Sequence, residues 1–212
     1  MTLVFDAVNT LIYKPDLYIK IQNVLIKNNH EIDLKEIKLK HLFLSEIIIF
    51  PDRTNYEFYL HFNREYLILL GIMPTNIIIE ELFKECSYLD WGKFEDTSVL
   101  NQFTCNKYII SNFNSSLKNT IDSLFPSTFK DIYISEMLKV RKPNKEFYLQ
   151  SFNEILKQEK NEEIIYIGDS FRLDYIPVEE MNLKSILIDR NEFYNSNIRK
   201  IKSLNELTHL IK

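Results

Sequence analysis

Apolar and polar positions along this chain fall into two regimes. Leu3-Val4-Phe5 is a short apolar run met at once by Asp6, which predicts a buried strand delivering a carboxylate at its C-terminal end. From Lys14 onward the period is helical. Pro15 suits a first turn, and Leu17, Ile21, Val24 and Leu25 recur on one face until Asn28-Asn29-His30 stops the helix. Asp33 is placed to cap a second helix reaching about Phe50. Thr54 or Asn55 starts a third, with Tyr59, Phe62, Tyr66 and Leu70 inward and Gly71 just past its end, and Pro74-Thr75 opens a fourth to about Tyr88. The stripe Tyr56, Tyr59, Phe62, Tyr66 has helical spacing and reads as core rather than as a ligand-stacking face.

From Trp91 strands and helices alternate. Asp96 or Thr97 is expected to cap a short helix carrying Val99, Leu100 and Phe103. Strands are predicted over 107–111, 132–135, 163–169 and 185–189. Helices are predicted from Ser115 or Ser116 to about Leu124, then over 144–157, 171–181 (bent by Pro177) and 204–211. This alternation predicts an α/β fold: a Rossmann-like parallel sheet with helices on both faces. The opening strand finds partners only in this later half. The expected domains are therefore an α/β core, 1–13 and 93–212, and an inserted four-helix domain, 14–92.

Composition narrows the function classes. Of 212 residues, 45% are hydrophobic and 26% charged, an ordinary soluble composition, and a net charge of −4 argues against an electrostatic nucleic-acid binder. Ala7 is the only alanine and glycine occurs 3 times, a compositional bias without functional content. Cys86 and Cys105 match no metal or redox spacing and read as reduced thiols. Ile47-Ile48-Ile49-Phe50 is too short to span a bilayer, and no charged-then-apolar leader precedes the first strand. A cytoplasmic monomer without membrane or nucleic-acid partners is the default expectation.

The predicted strand ends carry the chemistry. Asp6 with Thr10, Ser111 with Asn112, Lys142 on a loop, and Asp169 with Asp174 all fall at one edge of a single sheet, where open α/β sheets bind ligands. Carboxylates from two strands make a hard-oxygen site suited to Mg²⁺ paired with a phosphate. Ser111 and nearby amides can donate to phosphoryl oxygens, Lys142 can neutralise their charge, and aspartate is a nucleophile for phosphoryl transfer.

Four stretches in this order resemble the haloacid dehalogenase (HAD) superfamily, in the subfamily with a helical cap inserted after the first motif. They are Phe5-Asp6-Ala7-Val8-Asn9-Thr10-Leu11; Ile109-Ile110-Ser111-Asn112-Phe113-Asn114; Ser135-Glu136 followed by Arg141-Lys142-Pro143-Asn144; and Ile167-Gly168-Asp169-Ser170 with Asp174, then Met181 and Ile188-Asp189-Arg190. The resemblance implies Asp6 as nucleophile, and Thr10, Ser111, Asn112 and Lys142 around the phosphoryl group. It also implies Mg²⁺ held by Asp6, Asp169 and the Val8 carbonyl, with Asp174 supporting the ion directly or through water. The implied substrate is a small phosphorylated metabolite.

The departures from the pattern matter as much. Phosphatases of the family carry a second aspartate where Val8 stands, which protonates the leaving group and then activates water; valine does neither. Dehalogenases of the family also lack that aspartate, but usually lack the metal-binding aspartate that this chain keeps as Asp169. A subgroup with Phe-Asp-Ala-Val in the first motif is most similar. The expectation is a Mg²⁺-dependent phosphatase with weakened activity, the alternative a catalytically impaired binding or regulatory protein. Asn9 stands where the family has glycine, and asparagine tolerates left-handed backbone. Arg53, at a helix break, is a candidate contact for a substrate anion but reads better as a solvated loop charge.

Overall fold

The computed structural model describes residues 1–159 and 163–211. The chain forms two compact units, Lys14–Trp91 and Met1–Tyr13 with the segment from Gly92 onward.

The first of these is all-helical: α1 (Leu17–Lys27), α2 (Leu34–Ile47), α3 (Tyr56–Leu69) and α4 (Asn76–Cys86). Side chains satisfy otherwise orphaned first-turn amides at three N-termini. Asp33 accepts from the Lys35 amide at 2.8 Å, Asn55 from Phe58 at 2.9 Å, and the Thr75 hydroxyl from Ile78 at 3.4 Å. Helix α2 stops three residues earlier than the apolar pattern suggested, at Ile47. Ile21, Val24, Leu25, Ile37, Phe62, Tyr66, Leu67, Ile79 and Leu82 close the core, and the Tyr66 hydroxyl donates to the Ile37 carbonyl at 2.8 Å. Phe62 and Tyr66 of the aromatic stripe are buried, Tyr59 is half-buried, and Tyr56 lies exposed with its hydroxyl on Glu80. Arg53 is exposed.

One member of this core titrates against the fold. The His41 ring sits edge-on to Tyr18, Phe62 and Tyr66 at centroid distances of 5.4, 5.3 and 5.5 Å, and its buried Nδ1 has no hydrogen-bond partner. Burial pulls its pKa down to about 4. An unfolded histidine protonates near 6.5, so below that pH the unfolded state binds the extra proton and stability falls. The loss runs from about pH 6.5 to about pH 4, then levels off, with a ceiling of about 3 kcal/mol that residual solvent contact trims. An NMR titration of the His41 ring should show a midpoint near 4. In urea unfolding, His41→Leu should lose about 2 kcal/mol less than wild type between pH 7 and pH 4.5. Equal losses would remove His41 as the cause.

The second unit is built on a six-stranded, wholly parallel sheet. Its strands are β1 (Thr2–Phe5), β4 (Lys107–Ser111), β5 (Asp131–Ile134), β6 (Ile164–Gly168), β7 (Lys184–Ile188) and β8 (Lys200–Ile201), in spatial order β5-β4-β1-β6-β7-β8. A separate antiparallel pair, β2 (Ile12–Tyr13) with β3 (Gly92–Lys93), lies where the chain leaves this unit and re-enters it. Helices α5 (Ser116–Leu124), α6 (Ser135–Leu138), α7 (Lys145–Glu159), α8 (Ile176–Glu179) and α9 (Leu207–Leu210) connect and flank the sheet. On one face Val4, Tyr108, Ile110 and Tyr166 pack with Phe147, Tyr148, Phe152 and Ile155 of α7 and Val178 of α8. The alternate positions Leu3, Phe5, Ile109, Ile165 and Ile167 are buried on the other face, as a doubly covered sheet requires.

Several local expectations are corrected. Residues 171–181 do not form one α-helix: Phe171–Tyr175 is a π-helical turn, followed by the short α8. Neither Asp96 nor Thr97 caps a helix. Glu95–Gln102 is a 3₁₀ segment entered from Phe94, Asp96 is taken up by Arg190, and the Thr97 hydroxyl donates to the Phe94 carbonyl. The last helix begins as a 3₁₀ turn, Leu204–Glu206, under a Ser203–Glu206 capping box. The strands β2, β3 and β8 were not foreseen, because two residues carry no readable period. Among the described residues no helix is long and apolar enough to cross a membrane, and Cys86 and Cys105 are free thiols.

Candidate active site

The sheet order reverses direction around β1. The chain runs outward through β4 to β5, then crosses back to β6 and continues through β7 to β8. Diverging connections leave a crevice at such a switch point, beyond the carboxyl ends of the strands. Asp6 follows β1, Ser111 ends β4, and Asp169 follows β6, so the three neighbouring strands deliver these groups to one place.

Lys142 ties them together. Its side chain is 1% exposed, and its ammonium donates to Asp6 Oδ1 at 2.6 Å, Asp174 Oδ1 at 2.7 Å and the Tyr166 hydroxyl at 2.7 Å. Tyr166 in turn donates to Asp174 Oδ1 at 2.6 Å, and Ser111 Oγ donates to Asp6 Oδ1 at 3.1 Å. All of these bonds to Asp6 fall on Oδ1. Burial lowers the Lys142 pKa, but Asp174 and Asp6 together outweigh it and the net shift is upward, so the lysine is a fixed cation. At Asp6 burial raises the pKa, Lys142 opposes, and the neighbouring Asp174 raises it further; the net direction is up.

Two residues place Lys142 and Asp174. Asn112 accepts from the Lys142 amide at 2.8 Å through Oδ1 and donates to the Lys142 carbonyl at 3.0 Å through Nδ2. The Asn112 side chain, expected on the phosphoryl group, is thus engaged with the backbone of the lysine it orients; the Lys142-Pro143 peptide beside it is cis. Asp174 is carried by the π turn, and its Oδ2 accepts from the Ser170 amide at 3.0 Å. Gly168 makes room for it: a Cβ there would lie 2.4 Å from Asp174 Cγ. Pro177 lacks the N–H that a helix would direct to the Leu173 carbonyl, and the Tyr148 hydroxyl from α7 donates to that carbonyl instead. Tyr166 and Tyr148 were not singled out by sequence. The available signals were a tyrosine inside the aliphatic run Ile164-Ile165-Tyr166-Ile167 and the carbonyl that Pro177 orphans.

The turn after β1 completes the arrangement. Asn9 takes the left-handed conformation at φ 59°, as its side chain permits. The Ala7 carbonyl accepts from Leu11 and Ile12, those of Asn9 and Thr10 from Arg190, that of Leu11 from Phe94, and that of Ile12 from Asn9. From Ala7 to Ile12, Val8 alone has a carbonyl with no hydrogen bond among the described residues. Thr10 is fully buried, and its Oγ1 has no partner.

Asp6, Asp169 and Asp174 each bring a carboxylate oxygen within 4.8 Å of the other two. Lys142 pairs with Asp6 and Asp174, and Asp169 brings a third carboxylate to the cluster, a concentration of anionic oxygen that suits a divalent cation. The donors are all oxygen, and the unused Val8 carbonyl adds one more, the chemistry that Mg²⁺ prefers. The residues present therefore fit such an ion.

The sequence matches no family model and no curated protein sequence. Solved structures do match over nearly the whole chain. The HAD-hydrolase YfnB of Bacillus subtilis, so named and solved bound to magnesium, is 20% identical with a TM-score of 0.61, covering 99% of this chain and 97% of that one. A HAD phosphatase from Thermococcus onnurineus is 15% identical, TM-score 0.56, covering 99% and 96%. The L-2-haloacid dehalogenase of Xanthobacter autotrophicus, solved with chloropropionic acid covalently bound, is 13% identical, TM-score 0.61, covering 99% and 97%. The fold is therefore the Rossmann-like α/β fold of HAD-superfamily hydrolases, and structures of that fold include both phosphatases and dehalogenases.

Proposed function

We propose that this chain is a Mg²⁺-dependent phosphohydrolase acting on a small phosphorylated metabolite through an aspartyl-phosphate on Asp6. The observation that supports it best is the cluster Asp6–Asp169–Asp174, two of whose carboxylates Lys142 pairs, a site with oxygen donors for a divalent cation and a lysine for a phosphoryl group. Displacement of a halide by a carboxylate needs no divalent cation, so a cluster of three carboxylates that includes Asp169 favours phosphoryl chemistry over dehalogenation.

In this reading one Asp6 carboxylate oxygen attacks phosphorus, and the bond from phosphorus to the ester oxygen breaks. The departing oxygen takes a proton from water, since Val8 offers none. Water then attacks the acyl-phosphate, releasing inorganic phosphate and restoring the carboxylate. The bound cation supplies charge neutralisation for the phosphoryl oxygens. Lys142 neutralises further charge and holds Asp6 and Asp174 at fixed separation, Ser111 steadies Asp6, and Thr10 carries the remaining hydroxyl of the turn. Asn112 acts on the phosphoryl site through the Lys142 backbone it holds. The helical unit 14–91, inserted directly after the β1 turn, is assigned substrate selection as a cap.

A second reading rests on Val8: a catalytically impaired protein that keeps the fold to bind a ligand or partner. Hydrolysis of p-nitrophenyl phosphate decides between them. Its leaving group departs without an acid, so the missing aspartate does not mask the first step. Turnover should vanish with EDTA and return with Mg²⁺. Turnover indifferent to both would sink the cation reading, and no turnover would favour the impaired one.

A further inference from the structure

The turn between β1 and β2 carries both the Val8 carbonyl and a left-handed asparagine. A residue 180 positions away holds it. Arg190 Nη2 donates to the Thr10 carbonyl at 2.8 Å, and Nε to the Asn9 carbonyl at 3.4 Å. The same guanidinium pairs with both oxygens of Asp96, Nη1 to Oδ2 at 2.5 Å and Nη2 to Oδ1 at 3.1 Å. Asp96 Oδ2 is itself fixed, accepting from Ser203 Oγ and the Leu204 amide at 2.8 Å each. The guanidinium carbon lies 3.8 Å over the Phe94 ring, which stacks on Tyr13 at 4.3 Å, and the Phe94 amide donates to the Leu11 carbonyl at 3.1 Å. Only a planar fork with five donors meets a carboxylate, two carbonyls and a ring face together; a lysine ammonium cannot.

We infer that Arg190, anchored by Asp96, is a positioning residue for the cation site: it occupies the carbonyls on the far side of the turn and leaves that of Val8 as the turn's free donor, so cation affinity depends on it. This rests on the divalent-cation reading proposed above. The hydrogen bonds of Arg190 go to Asn9, Thr10 and Asp96, so its effect on the carboxylate cluster travels through the backbone of the turn.

Mn²⁺ is the probe, with the free ion counted by electron paramagnetic resonance, on the full chain as wild type and as Arg190→Lys. The lysine keeps a cation for Asp96 but cannot span both carbonyls. Removing such a supporting contact typically weakens metal affinity about 10- to 100-fold. We expect Arg190→Lys to raise the Mn²⁺ Kd about tenfold, with a thermal midpoint close to wild type. A purely structural role would lower the midpoint and leave the Kd of the folded protein unchanged, and a Kd within about twofold of wild type overturns the inference. Should the lysine variant not fold, Asp96→Asn carries the same comparison, since it is isosteric and loosens the anchor without touching the turn. If wild type binds no Mn²⁺, the cation reading itself fails and this inference with it; wild-type binding that neither variant alters overturns this inference alone.

Discussion

Asp6→Asn is expected to lower Mg²⁺-dependent hydrolysis of p-nitrophenyl phosphate by about 10⁴-fold or more, to the level of buffer. The substitution is isosteric. Its amide oxygen can still accept from Ser111 and Lys142, the two donors that meet Asp6 Oδ1. Lys142 also keeps Asp174 and Tyr166 as partners, so no buried cation is left unpaired and the fold should stand. What is lost is a charged oxygen able to bond to phosphorus. Steady-state kinetics with circular dichroism as the folding control separate the two effects. Turnover within about tenfold of wild type would move the nucleophile elsewhere.

The second large effect has the opposite sign. Val8→Asp should raise activity toward alkyl phosphates by about 10²–10⁴-fold, the usual contribution of a positioned general acid or base. The gain should be smaller with p-nitrophenyl phosphate, where only the hydrolysis of the acyl-phosphate profits, because an alkoxide needs a proton to leave and a nitrophenolate does not. Val8 is half-buried beside the cluster, so the new carboxylate has access to water and need not be forced into the core. The ratio of the two substrates' kcat/KM values, wild type against variant, is the measurement. Equal gains on both would place the effect in water activation alone. No gain on either would mean that the residue following Ala7 does not reach the reacting oxygens.

Much of the fold is legible in the sequence alone. The alternation of apolar runs with helical periods predicts a parallel sheet, and the sheet is parallel throughout. The apolar runs at Leu3–Phe5, Tyr108–Ile110 and Ile164–Ile167 are buried at consecutive positions, as strands covered on both faces are, and they lead into Asp6, Ser111 and, through Gly168, Asp169. Asp6, Ser111 and Asp169 stood out for that reason. Lys142, on a loop, and Asp174, five residues past Asp169, join them at the same predicted edge, and the family resemblance assigns them roles. The errors have a common origin. Three two-residue strands, a π turn and the 3₁₀ entry Leu204–Glu206 are too short for a period to develop, and tertiary contacts decide them.

The amino-acid sequence by itself thus determines which segments are buried, in what order they alternate, and which chemical groups stand at strand ends. Those properties are local, because burial imprints a period of two or of 3.6 residues on the chain. What only the tertiary structure decides is who meets whom. Arg190 grips a turn 180 residues distant, Lys142 gathers carboxylates from positions 6 and 174, and the Tyr148 hydroxyl fills the gap that Pro177 leaves at Leu173. A hydrogen bond between distant segments leaves no periodic trace: its geometry is set by side-chain length and by the register of whole strands and helices, which exist only once the chain has folded.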